Sequence, residues 1–237
     1  MTKLAIIADI HANLVALEAT LSDIKTRGIS DIVCLGDVAN FGPQPVETLE
    51  RVKEINCPVV MGNSDANVLH PRQEVDPVVT DVESWCAQQL KEEHKNFIRS
   101  FEPTVKLELS GLKILAYHGS PKSYHDSITA ETPDETLTSY FENHKADLFV
   151  GGHTHEQFIR RYFDKRVMNP GSVGLPYVMK RGSSNGLNLA VTEYAILEVT
   201  KHEPNVTFRR VRYDVKALEQ AVNSANMPHG EHWLNWL

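Results

Sequence analysis

No apolar run in this chain approaches the roughly 20 residues that a membrane-crossing helix requires. The N-terminal apolar stretch is cut by Asp9 and His11, which argues against a secretory leader, so the expected location is the cytoplasm, with no membrane partner. Cysteine is scarce: Cys34, Cys57 and Cys86 are far apart and form no CxxC pair, which excludes a disulfide framework and a thiolate zinc site. Cys34, between Val33 and Leu35, reads as a core residue. Positive charge is also short, with 24 Lys and Arg against 31 Asp and Glu and a net charge of −7. A broad surface for duplex nucleic acid is therefore not expected. Arg209, Arg210 and Arg212 come closest to a basic patch, and their alternation reads as the solvated face of a strand. Repeats and low-complexity segments are absent, and 237 residues suit one domain, 1–237, with a small insertion.

Leu4 to Ala8 has the continuous apolar character of a strand covered on both faces, and Leu14 to Ile24 carries apolar residues at helical spacing. A strand at Asp31 to Leu35, a helix through Val46, Leu49, Val52 and Ile55, and a third strand at Pro58 to Met61 follow. Strand and helix in alternation predict a parallel sheet with right-handed crossovers. From about 67 to 102 the chain changes character, and the segment is expected to form two short helices making a cap beside the site. Later strands are expected at 105–109, 112–117, 148–150, 157–163, 167–168, 187–200 and 206–213, with helices at 132–143 and 215–225. In the tail, Trp233, Leu234, Trp236 and Leu237 are expected to dock on the core or on a second copy of the chain, making a homo-oligomer.

Each of the first three strands ends near a metal-seeking side chain: Asp9 with His11, Asp37 after Gly36, and Asn63 after Gly62. His118-Gly119 and the segment Gly151 to His155, with His153 and His155, complete the series. Ligands gather beyond the carboxyl ends of strands in such sheets, so these residues are expected to converge. Asp9 and His11, two apart in extended backbone, would point to one side, and so would His153 and His155. A carboxylate has two oxygens and can touch two cations, so a bridging role falls to Asp9 or Asp37, with Asp37, on the central strand, favoured. Singly, each motif has a plain alternative: Asp-x-His and Gly-Asp as turn features, Asn63 as a turn residue, His118 as a core histidine. Their joint occurrence in order favours a site for two divalent ions. His94, His144 and His202 read as solvated.

With these motifs, and with Asn169-Pro170-Gly171-Ser172-Val173-Gly174, the chain resembles the calcineurin-like metallophosphoesterases, within them the compact prokaryotic branch of YfcE-like phosphodiesterases. The resemblance runs from Leu4 to about Gly174. It implies an α/β fold, a four-layer α/β/β/α sandwich of two mixed sheets with the small helical cap insertion. It further implies one metal held by Asp9, His11, Asp37 and His155 and another by Asp37, Asn63, His118 and His153. Mixed carboxylate, imidazole and amide ligation suits Mn first, with Fe, Ni, Co or Zn as alternatives.

Two departures from that pattern bear on substrate. Many members carry a histidine after the Gly-Asn of the third motif, where it protonates the leaving oxygen; this chain has Ser64. Asp65, His70 and His125 are the candidates to replace it, and the missing acid favours leaving groups that are already stable. Asn40 and Phe41 stand where protein phosphatases of the superfamily carry an acidic residue and an arginine, which disfavours a phosphoprotein substrate. Asn40, Phe41, Ser64 and His125 are expected to touch substrate, with Phe41 and Tyr124 as stacking surfaces or simply as core. The expected activity is a phosphodiesterase or phosphoanhydride hydrolase on a small, nucleotide-like phosphorylated substrate. The rivals are a phosphomonoesterase and a non-catalytic scaffold of the same fold.

Overall fold

The structure, a computed structural model, describes residues 2–71, 76–179, 186–200 and 203–234. Residues 182–185, His202, Trp236 and Leu237 lie outside the described residues. The first sheet has the order β11 (Glu203–Arg212), β10 (Val191–Thr200), β1 (Thr2–Ile7) and β2 (Asp31–Cys34). Its β1 and β2 run parallel, whereas β10 is antiparallel to both of its neighbours. The second sheet has the order β3 (Val105–Leu109), β4 (Leu112–Ala116), β5 (Leu148–Val150), β7 (Lys165–Asn169) and β6 (Phe158–Tyr162). Here β4, β5 and β7 are parallel, with antiparallel β3 and β6 at the edges. A separate hairpin pairs β8 (Tyr177–Met179) with β9 (Gly186–Asn188).

Three apolar layers hold these sheets. Side chains alternate across a strand, so Leu4 and Ile6 of β1 enter the layer between the sheets, where Val33, Ile114, Leu148, Val150 and Leu197 meet them. Ala5 and Ile7 face the opposite way, beneath α1 (Leu14–Thr26), α2 (Pro45–Ile55) and α7 (Val215–Ala225). On the far side, α6 (Asp134–Phe141) covers the second sheet through Leu137 and Phe141, the latter stacked on Phe149 at 4.0 Å. The result is the α/β/β/α sandwich with two mixed sheets. Local sequence sets the helix starts: Asn13 accepts from Ala16 N at 3.0 Å, and Asp214 caps α7 in the same way.

The segment expected as a cap carries α4 (Pro77–Gln89) and α5 (Glu92–Arg99), preceded by α3 (Asn63–Leu69). Val82, Cys86, Leu90 and Ile98 join the apolar layer that also holds Leu49 and Val52 of α2. Pro58 to Met61 forms two isolated bridges, Cys34 to Val59 and Val60 to Glu102, in place of a full strand. The expected strand over 187–200 is two strands broken at 189–190. His94 differs from its expected solvation: it is buried, and Lys91 N donates to its Nδ1 at 3.1 Å at the start of α5. In the tail, Trp233 of α8 (Gly230–Leu234) is buried in its own chain, and its indole N–H donates to Phe41 O at 2.8 Å. His229 pairs with Asp81 at 2.8 Å. Arg209 and Arg210 are tied to Asp23 and Glu193, so they form no free basic patch. No helix among the described residues is long and apolar enough to cross a membrane.

Candidate metal centre

The loops leaving β1, β2, β4 and β5 meet where the two sheets come together. Backbone bonds lock them in place: Asp9 N to Gly36 O at 3.0 Å, His11 N to Asp37 O at 2.8 Å, and Gly152 N to His118 O at 2.9 Å. Residues 169–174 bind both sides of the junction. Ser172 Oγ donates to Asp9 O at 2.7 Å, Gly174 N donates to the same oxygen at 3.0 Å, and Asn169 Nδ2 donates to Gly152 O at 2.7 Å.

Asp9, His11 and His155 each bring a ligand atom to within 4.8 Å of the others, and Asp37, His118 and His153 do the same. His11 Nε2 lies 3.0 Å from His155 Nε2, and His155 Nε2 lies 3.5 Å from Asp9 Oδ1. Between the groups stands Asp37, whose Oδ2 is 3.7 Å from His11 Nε2 and 3.5 Å from His118 Nε2. Asn63 Oδ1 is 2.9 Å from His118 Nε2. All seven side chains expected as ligands are thus brought to one place.

The means of convergence differs from the expected extended alternation. β1 ends at Ile7 and β5 at Val150, and the ligands follow in left-handed backbone. Asp9 has φ 53°, His11 49°, Asp37 55°, His153 70° and His155 57°. Such a conformation costs a non-glycine residue about 1–2 kcal/mol. Its repetition at five ligand positions shows strain concentrated where side chains must be aimed inward. Gly62 permits a close approach, since a Cβ there would overlap Asp37 Oδ1.

Three of the four imidazoles are oriented from behind. His11 Nδ1 contacts Asn40 O at 3.2 Å, His118 Nδ1 contacts Leu35 O at 2.8 Å, and His155 Nδ1 contacts Leu175 O at 2.7 Å. A carbonyl can only accept, so each Nδ1 carries the proton and, in the neutral ring, each Nε2 presents a lone pair to the site. Two such lone pairs 3.0 Å apart, at His11 and His155, are what a shared cation would relieve. The carboxylates add the same demand. Burial opposes ionisation of Asp37, yet His118, His11 and the Ser64 hydroxyl outweigh it and hold its pKa well below the usual carboxylate range. Burial likewise opposes the charged form of Asp9, but His155 and then His118 keep its pKa low. Burial would lower His118, but Asp37 and Asp9 push it up to about 9. His11 is held by burial down to about 4. The donor set fits divalent metal: carboxylate oxygens and imidazole Nε2 atoms face one another, and the upward shift of His118 expresses the same demand for positive charge beside Asp37 and Asp9.

Of the residues expected to touch substrate or donate a proton, several are tied into the fold around Asp37 and His11. Asp65 is fully buried, and its carboxylate accepts from Asp37 N at 2.7 Å, Val38 N at 2.8 Å and Gly62 N at 3.3 Å. It braces the Asp37 loop and aims no proton at a substrate, although burial and the neighbouring Asp37 charge raise its pKa to about 7. Ser64 is tied to the same loop: its N–H and hydroxyl both donate to Asp37 at 2.8 Å. Asn40 is buried and spent on His11, Ser64 O and Phe41 N. Phe41 sits edge-on to His11 at 6.1 Å and is partly buried beside Val78, Val82 and Trp233. Tyr124 also packs on the core. His70 and His125 are exposed, and no contact ties either to the ligand cluster.

The short motifs also missed a cavity of about 510 Å³ that opens beside His155 and is lined by Tyr177, Val178, Leu189, Glu193 and Arg210 among others. Tyr177 lies 5.5 Å from the His155 ring. No motif signals it, because its walls come from 154–157, 177–178, 189–193 and 210.

A buried carboxylate and imidazole cage at the mouth of an α/β/β/α sandwich defines a metal-dependent phosphoric ester hydrolase. The chain belongs to the calcineurin-like phosphoesterase superfamily, whose domain profile matches residues 2–202. It is similar to the uncharacterised protein MJ0912 of Methanocaldococcus jannaschii, at 31% identity over 98% of this chain and 96% of that one. The phosphodiesterase YfcE of Escherichia coli K12 is 28% identical over 74% of this chain and 82% of its own length. Among solved structures, a metallophosphoesterase from Sphaerobacter thermophilus superposes with a TM-score of 0.76 at 27% identity, covering 100% of this chain and 99% of that one.

Proposed function

We propose that the protein is a phosphodiesterase or phosphoanhydride hydrolase that holds two divalent ions and acts on a small, nucleotide-like substrate. The observation that carries this reading is the position of Asp37 Oδ2, within 3.7 Å of His11 Nε2 on one side and 3.5 Å of His118 Nε2 on the other. One carboxylate so shared can join two ligand sets into one centre. Asp9, His11 and His155 would complete the first set, and Asn63, His118 and His153 the second. Manganese is the metal to test first, on the mixed oxygen and nitrogen donors. When bound, the ions would supply an acidified water as nucleophile and neutralise charge on the phosphoryl oxygens.

The chain's own residues then do three things. Ser64 and Asp65 hold Asp37 in its shared position. Asn40, Leu35 and Leu175 fix the imidazole tautomers through their carbonyls. Neither Ser64 nor Asp65 has a proton directed at a departing oxygen, since both are committed to the Asp37 loop. A substrate whose leaving group needs no protonation suits such a site, and a positioned general acid contributes typically 10²–10⁴-fold where one is needed, roughly speaking. The phosphodiesterase named among the relatives supports the same choice. The test is turnover by Mn-loaded protein of bis(p-nitrophenyl) phosphate against p-nitrophenyl phosphate. Faster turnover of the diester is expected. Preference for the monoester would replace this reading with a phosphomonoesterase, and no turnover of either, with no metal bound, would leave a scaffold.

A further inference from the structure

The cavity next to His155 is built unlike the cage it adjoins. Its lining sets exposed apolar side chains among polar ones, where the cage is polar throughout and largely buried. Tyr177 is 43% exposed and Val178 44%, and with Ile159 and Phe163 they are the exposed large hydrophobic residues of the described chain. Tyr177 and Val178 stand together on β8, at the edge of the cavity, with Leu189 opposite in the same lining. Apolar surface left open beside a charged centre marks a place where a ligand is expected.

The polar part of the lining is fixed. Arg210 Nε donates to Glu193 Oε1 at 2.7 Å, and Glu193 is buried while the guanidinium is exposed. Gln157 is committed to the carbonyls of Pro170, Tyr194 and Arg209. The guanidinium of Arg210, anchored through Nε, leaves its planar face and remaining N–H groups unspent in that contact, in the lining of the cavity. An aromatic ring and an anchored guanidinium are the two surfaces that accept a flat, polarisable group. A volume of about 510 Å³ suits a nucleoside-sized group. His155 belongs to both places: its Nε2 faces the cage, and its ring lies 5.5 Å from that of Tyr177.

We infer that this cavity receives the planar organic group of the substrate, a nucleobase or aryl ring stacked on Tyr177, while the phosphoryl group lies at the cage. This rests on the phosphoesterase reading for the cage and adds which residues select the substrate. Tyr177 is the specificity-determining residue, and Arg210 the second wall.

Calorimetric titration of Mn-loaded protein with adenosine 5′-monophosphate and with methyl phosphate tests it without depending on turnover. The two probes carry the same phosphate dianion and differ in the nucleoside. Wild-type protein is expected to bind the nucleotide about tenfold or more tightly than methyl phosphate, as stacking on one aromatic residue allows. Tyr177→Ala should bring the two affinities together by weakening the nucleotide alone, and Tyr177→Phe should retain the difference. Leu189→Trp, which fills the cavity, should also remove the advantage and leave methyl phosphate unchanged. Equal binding of the two probes by wild-type protein, or a difference that survives both Tyr177→Ala and Leu189→Trp, overturns the inference. Diester turnover in the same preparation reports separately on the phosphoesterase reading, which stands or falls on its own.

Discussion

The cage and the cavity beside it share one histidine and little else. In the cage, side chains are buried, aimed by left-handed backbone, and braced from behind: His11, His118 and His155 by carbonyls, Asp37 by Ser64, and the Asp37 loop by Asp65. In the cavity, Tyr177 and Val178 are exposed, beside polar walls such as Gln157 and Arg210 that have partners of their own. Groups that must position charge need over-determined geometry, because a small displacement of a ligand costs binding directly. A stacking surface tolerates more freedom, since flat apolar contact is not directional. Chemistry and selectivity are therefore carried by different kinds of surface on one fold, and substitutions in each should read out differently.

The largest effect is expected at the residue both ligand sets share. Asp37→Asn should lower diester turnover on the order of 10³-fold or more, equivalent to the several kcal/mol of charge stabilisation that bound metal supplies. Steady-state kinetics with metal analysis of the same sample checks it, and wild-type turnover would break the distinction between the cage and its surroundings. Ser64→Ala removes a hydroxyl behind Asp37 and leaves the ligand set intact. Its cost should be roughly 10–100-fold in metal affinity or activity, the usual effect of losing such a partner. Recovery of turnover at high Mn concentration would sharpen the comparison by showing that Ser64 acts through Asp37. The smallest effect on the cage is expected from Tyr177→Ala. Its metal content should equal that of wild-type protein, and its stability should change by no more than about 0.5 kcal/mol, as for an exposed substitution. Loss of metal in that variant would merge the two regions into one.

Much of the cage was legible in the sequence because the ligands follow apolar runs and four of the seven, Asp37, Asn63, His118 and His153, sit next to glycine. The parallel strands β1 and β2 and the helices between them were legible for the same reason, continuous apolar runs alternating with helical periodicity. The geometry was not. Asp9-x-His11 reads as extended alternation, whereas both residues adopt left-handed backbone, a choice imposed by the hydrogen bonds to Gly36 O and Asp37 O from a loop distant in sequence. The bracing bonds of Asp65 were not legible, because a carboxylate three residues after a glycine looks the same as an acid or as a brace for backbone N–H groups. His94 looked solvated among Glu92, Glu93 and Lys95, yet it is buried at the start of α5. Tyr177 and Arg210 were beyond reach, since two strands from different sheets meet only in the folded chain. The segment at 169–174 lay between these cases. Its pattern was recognisable, but its work, holding the Asp9 and Gly152 loops together, showed only in the hydrogen bonds of Ser172 and Asn169.

The central claim is that one carboxylate joins two metal positions, and anomalous diffraction from Mn-soaked crystals tests it most directly. Two peaks roughly 3.5–4 Å apart are predicted, one beside Asp9, His11 and His155, the other beside Asn63, His118 and His153, with Asp37 touching both. A single peak, or a pair of which Asp37 touches only one, would contradict the account.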